Sequence, residues 1–96
     1  MGSFSIEKYD ALFNAVLKLK NIEDARMFFE DVCTIKELDA ILQRLEVAEL
    51  LSSGKSYQDV SSMTGASTAT ISRVNKCLNY GAGGYSLVLD TNKKEK

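Results

Sequence analysis

The chain has 96 residues, 45% hydrophobic and 26% charged, with a net charge of −1, the size and balance of one ordinary soluble domain. No apolar run approaches the ~20 residues that span a membrane, and no signal-peptide pattern opens the chain, so a cytoplasmic location and no membrane partner are expected. Histidine is absent and the two cysteines, Cys33 and Cys77, stand alone; the usual general base and the paired metal ligands are therefore missing, and no enzymatic role, metal or cofactor is expected.

With no proline in the sequence, helices can run until a glycine or a cap stops them, and hydrophobic spacing predicts an all-α chain. Ser5 is placed to cap a first helix running to about Lys20, with Ile6, Tyr9, Leu12, Phe13, Val16 and Leu19 on one face. Asn21 separates it from a second helix, about Ile22 to Val32, whose stripe of Ala25, Phe28, Phe29 and Val32 suits a core or a subunit interface. Thr34 and Glu37 have the spacing of a capping box and open a long third helix ending near Ser52-Ser53, before Gly54. Its buried face is expected to be Leu38, Ile41, Leu42, Leu45, Ala48 and Leu51, widened by Val47 and Leu50. The cysteines are expected to be buried or half-buried thiols without a bridge.

Residues 56–79 carry the chemistry. Ser56, three residues before Asp59, marks a helix start, and a short helix over about Tyr57 to Met63 should stop at Thr64-Gly65, where glycine can take the left-handed conformation. Ser67 can cap a second helix. Val60, Ala66, Ile71 and Val74 are spaced to pack the two helices together, and small Ser61 allows a close crossing. Such a pair can offer Thr68, Ala69, Thr70 and Ser72 to base edges and Gln58, Arg73 and Lys76 to phosphates or second-line contacts. The same spacing also fits two packed helices with no nucleic acid. Charge permits DNA binding without arguing for it: Lys55, Arg73 and Lys76 face only Asp59 within residues 55–80, while acids outnumber bases before residue 55. A glycine-rich break over 81–84 precedes a last short helix, about Tyr85 to Leu89, presenting Tyr85, Val88 and Leu89, and a polar tail at 91–96.

The run from Thr64 to Asn79, with its Gly65-Ala66 and Ala69-Thr70-Ile71-Ser72-Arg73 order, resembles the DNA-reading segment of the Trp repressor family. Residues 34–51 resemble the helix that precedes it there, and Asn79-Tyr80-Gly81 with Gly84-Tyr85 resembles a bacterial branch of the family. The resemblance is strong from Thr34 to Leu89 and extends to the N-terminal helices by pattern. It implies a single six-helix domain over residues 1–96 with a helix-turn-helix at about 56–79, and an intertwined homodimer. It also implies that the protein binds double-stranded DNA and acts as a transcriptional regulator, a repressor. A protein-interaction module, or a small-ligand sensor without DNA binding, is the alternative.

In that family a small-molecule corepressor, tryptophan, lies between the long helix and the reading helix, and Thr34, Arg44 and Arg73 stand at matching places. Three departures argue against tryptophan here. Val74 replaces a glycine and would crowd an indole; Cys77 replaces a serine, and a thiol is a weak partner for an amino group. The interval from Arg44 to Arg73 is also one residue shorter, which turns Arg44 by roughly 100° on a helix.

Overall fold

The computed structural model describes residues 5–89, so the tail at 91–96 lies outside the described residues. Every regular element among them is helical, six α-helices after a short opening turn, and none is long and apolar enough to cross a membrane. The chain forms two compact units, one ending at Lys36 and one beginning at Glu37.

In the first unit, a 3-10 turn over Ile6–Tyr9 precedes α1, Asp10–Val16. This corrects the expectation of one helix capped by Ser5 and running to Lys20. The Ser5 hydroxyl donates to the Glu7 carboxylate at 2.8 Å and makes no cap, and that bond holds the Glu7 carboxyl below its ordinary value. At the other end the amides of Lys18 and Leu19 bond three residues back, to Ala15 and Val16, the tightening that ends an α-helix. The Lys20 amide then donates to the Asp24 carboxylate at 3.0 Å, so this stretch already serves the next element. Asn21 caps α2, Ile22–Val32, by accepting the Asp24 amide at 2.8 Å. The rings of Phe28 and Phe29 meet edge to face, 5.2 Å between centroids. No residue of α1 or α2 is fully buried in the single chain.

The long helix α3, Ile35–Ser52, starts directly after Thr34. It ends in a Schellman stop: Gly54 is left-handed at φ +95°, its amide reaches the Leu51 carbonyl, and the Lys55 amide reaches the Leu50 carbonyl. The buried face is only part of the expected one. Val47 and Ala48 are fully buried, with Leu50 and Leu51 packed beside them, while Ile41 and Leu42 stay about half exposed. The apolar residues of α3 cover a wide arc, and the core of this unit touches that arc only toward the C-terminal half of the helix.

The core itself is Val47 and Ala48 of α3 with Val60, Ala66, Ile71 and Val74, none more than 2% exposed. The last four are the residues whose spacing predicted the packing of α4, Tyr57–Thr64, on α5, Thr68–Tyr80. Burying side chains of the size of Val47, Val60, Ile71 and Val74 contributes about 1.5–3 kcal/mol each. The last helix, α6, covers Gly84–Val88; Tyr85 and Leu89 pack against the core, whereas Val88, expected beside them, is 71% exposed. Cys33 and Cys77 are free, half-buried thiols.

Candidate nucleic-acid interface

The α4–α5 pair is assembled from short-range bonds. The Ser56 side chain accepts the Asp59 amide at 3.1 Å and so starts α4; Gly65 ends it at φ +76°, where a residue with a Cβ would be strained. The Ser67 side chain accepts the Thr70 amide at 3.1 Å and starts α5. Between the two helices the Ser61 hydroxyl donates to the Ala66 carbonyl at 3.0 Å, and the Thr64 hydroxyl donates to the Val60 carbonyl at 2.7 Å while accepting the Ala66 amide at 3.1 Å. The turn therefore leaves α5 with a defined starting direction.

Ile71, Val74 and Leu78 mark the inward side of α5. At roughly 100° per residue, the opposite side carries Ala69, Ser72, Arg73, Lys76 and Tyr80, all exposed. Thr68 is exposed on one shoulder of this row. Thr70 lies on the other and is half buried: besides its amide bond, its hydroxyl oxygen receives the Ser67 hydroxyl at 3.2 Å. Gln58 is exposed on α4. Six of the seven residues expected to meet DNA therefore face outward, and Thr70 is partly committed to the helix cap. Tyr80, 83% exposed, stands at the end of the row.

Of the residues matched to a ligand site, Arg44 and Arg73 line different depressions. Arg44 lines an apolar depression of about 410 Å³ with Ile41, Leu45, Tyr85 and the glycine break. Arg73 borders a separate depression of about 290 Å³ with Lys76 and Tyr80. Cys77 and Gly81 border both. Val74 points into the core at 1% exposure, so its branched carbons lie under α5 and line neither depression. Thr34 lies just before α3, in the first unit.

Two short helices around a tight turn, with a polar and basic row facing away from an apolar underside, define a helix-turn-helix protein. Comparison with known proteins makes the assignment particular. The family described as Trp repressor protein matches residues 7–93. The uncharacterized protein YerC of Bacillus subtilis is 50% identical over 88 residues, spanning 92% of this chain and 85% of that protein. The crystal structure of a TrpR-like protein from Eubacterium eligens superposes with a TM-score of 0.80 at 52% identity, covering 85% of this chain and 84% of that one. A candidate Trp repressor from Staphylococcus aureus superposes with a TM-score of 0.81 at 42% identity, covering 90% and 91%. The chain belongs to the Trp repressor family, a family of regulators and not of enzymes.

Proposed function

We propose that the protein is a sequence-specific regulator that binds double-stranded DNA as a homodimer and represses transcription. The outward row on α5 carries this reading: small Ala69 and hydroxylic Thr68 and Ser72 stand clear of the core beside Arg73 and Lys76. Short hydroxyl and methyl groups suit base edges in a major groove, and the cations suit phosphates. Gln58 on α4 supplies a second-line contact. With so few cations on the row, affinity should fall only gently with salt.

The first unit supports the dimer. Leu12, Phe13, Met27 and Val32 are between 42% and 60% exposed in the single chain, an apolar surface that a second copy would cover. A two-fold dimer sets its reading helices about 34 Å apart, one DNA turn, and prefers a roughly palindromic site. Tryptophan is not the proposed corepressor: Arg44 and Arg73 open onto different depressions, and Cys77 offers only a thiol between them.

Selection of bound duplexes from a random pool, with and without tryptophan, tests the proposal. The expected result is one enriched, near-palindromic sequence in both arms. Titration with random duplex at low and moderate salt separates the rival protein-interaction module, which predicts no salt-dependent binding at all.

A further inference from the structure

We propose that Gln43 of α3 is a positioning residue for DNA reading, one that sets the angle at which α5 is presented. The inference rests on the DNA-binding proposal above and adds to it a residue that lies outside the helix-turn-helix.

The Gln43 side-chain amide donates to the Thr64 carbonyl at 3.2 Å, across 21 residues of sequence. Thr64 is the last residue of α4, so its carbonyl is one of those a helix end leaves without an intrahelical partner. The orientation of the amide follows from chemistry, since its oxygen against a carbonyl oxygen would be repulsive and only the nitrogen can donate. The other bonds of the turn are local. Gly65 donates to the Ser61 carbonyl at 2.8 Å, and Ala66 is held at both its amide and its carbonyl by Thr64 and Ser61. These bonds fix α4 and α5 relative to each other. They do not fix the pair relative to α3.

Apolar packing and one long-range hydrogen bond both join the pair to α3. Val47 and Ala48 pack against Val60, Ile71 and Val74, and apolar contact of this kind is non-directional. It supplies adhesion and resists large displacement, but it sets no donor–acceptor distance. Gln43 lies one turn before Val47 on the same side of α3, and its bond is directional. It therefore selects one seating among those the apolar contact allows. Seating matters for reading because a hydrogen bond to a base works only over a donor–acceptor window of roughly 2.7–3.2 Å. Phosphate attraction falls off far more gradually with distance. Loss of the Gln43 bond should accordingly blur discrimination between sequences and leave general DNA affinity in place.

Gln43→Met keeps the length and helix preference of the side chain and removes the donor; Gln43→Lys restores a donor of slightly greater reach. Affinities are measured for the duplex selected by the wild-type chain and for a random duplex, and amide hydrogen exchange is followed at Gly65, Ala66 and Ser67. The expected result for Gln43→Met is about a tenfold fall in the selected-to-random affinity ratio, the size of one net hydrogen bond. Random-duplex affinity should stay within about twofold, and turn exchange should be faster. Gln43→Lys should recover most of the ratio, in which any general gain from its added charge cancels. A selective wild-type chain whose Gln43→Met variant keeps the full ratio overturns the positioning role alone, as does a parallel loss on both duplexes that Gln43→Lys does not repair. A wild-type chain that selects no duplex removes the DNA-binding proposal and this one together.

Discussion

Ser67 and Thr70 show how closely reading and capping are joined on α5. Ser67 accepts the Thr70 amide and lies 3.2 Å from its hydroxyl, so removing the Ser67 side chain frees an orphan amide at the end that would meet DNA. Ser67→Ala should cost about 1 kcal/mol of stability, measured by urea unfolding. Ser72 makes none of these bonds and is exposed; Ser72→Ala should leave stability unchanged and relax base preference at one position of the selected site. Lys76→Ala should weaken binding to every duplex alike and lower the salt slope by about 1. Equal losses for Ser72→Ala and Lys76→Ala on selected and random duplexes would refute that division. The caps at Ser56 and Ser67 were legible in the sequence because a cap is a local bond. The half-burial of Thr70 was not, because the spacing marks the inward side of α5 but not how far the core and the Ser67 cap reach onto its shoulder.

Among the elements, α4, its turn and α5 follow the sequence almost residue for residue, since serine caps, a left-handed glycine and four apolar positions determine them locally. The start of the chain follows it less well. α1 stops at Val16 because the backbone beyond it bonds three residues back and then to Asp24 of the next helix, and periodicity does not encode such a reach. The expected face of α3 is buried only in part for a related reason: a wide apolar arc does not say which part of it meets a neighbour. Two glycines make separate demands. Nothing lies within 4 Å of a Cβ built at Gly65, so its need is the positive φ of +76°. At Gly81 φ is ordinary, but a Cβ would come 2.5 Å from the Cys77 carbonyl oxygen. Gly65→Ala should therefore cost about 1–2 kcal/mol, with Gly65→Asn milder because asparagine tolerates the left-handed region. Gly81→Ala and Gly81→Asn should be about equally harmful, since either side chain meets the same backbone. Thermal unfolding of the four variants distinguishes backbone strain from steric clash; an asparagine benefit at both positions would contradict the assignment.

At the scale of the whole molecule the unequal burial of the two units is the main fact. The second unit holds a fully buried core, whereas α1 and α2 bury no residue completely. The sequence marks the α2 stripe as suited to a core or a subunit interface, and choosing between the two takes more than the periodicity of one chain. Phe13, 42% exposed, separates the cases. In a monomer, Phe13→Asp would change a partly solvated position, and the melting temperature would not depend on protein concentration. In a dimer, the same change places a charge in a dry interface without a counter-charge, which is strongly destabilising. The wild-type melting temperature should then rise with protein concentration, since association stabilises the folded form by mass action. The Phe13→Asp chain should sediment as a single copy and lose both that rise and its affinity for a palindromic duplex. A wild-type chain that sediments as a monomer and melts at the same temperature across a hundredfold range of concentration would end the dimer proposal. The reading row on α5 would then be left with half-sites to recognise.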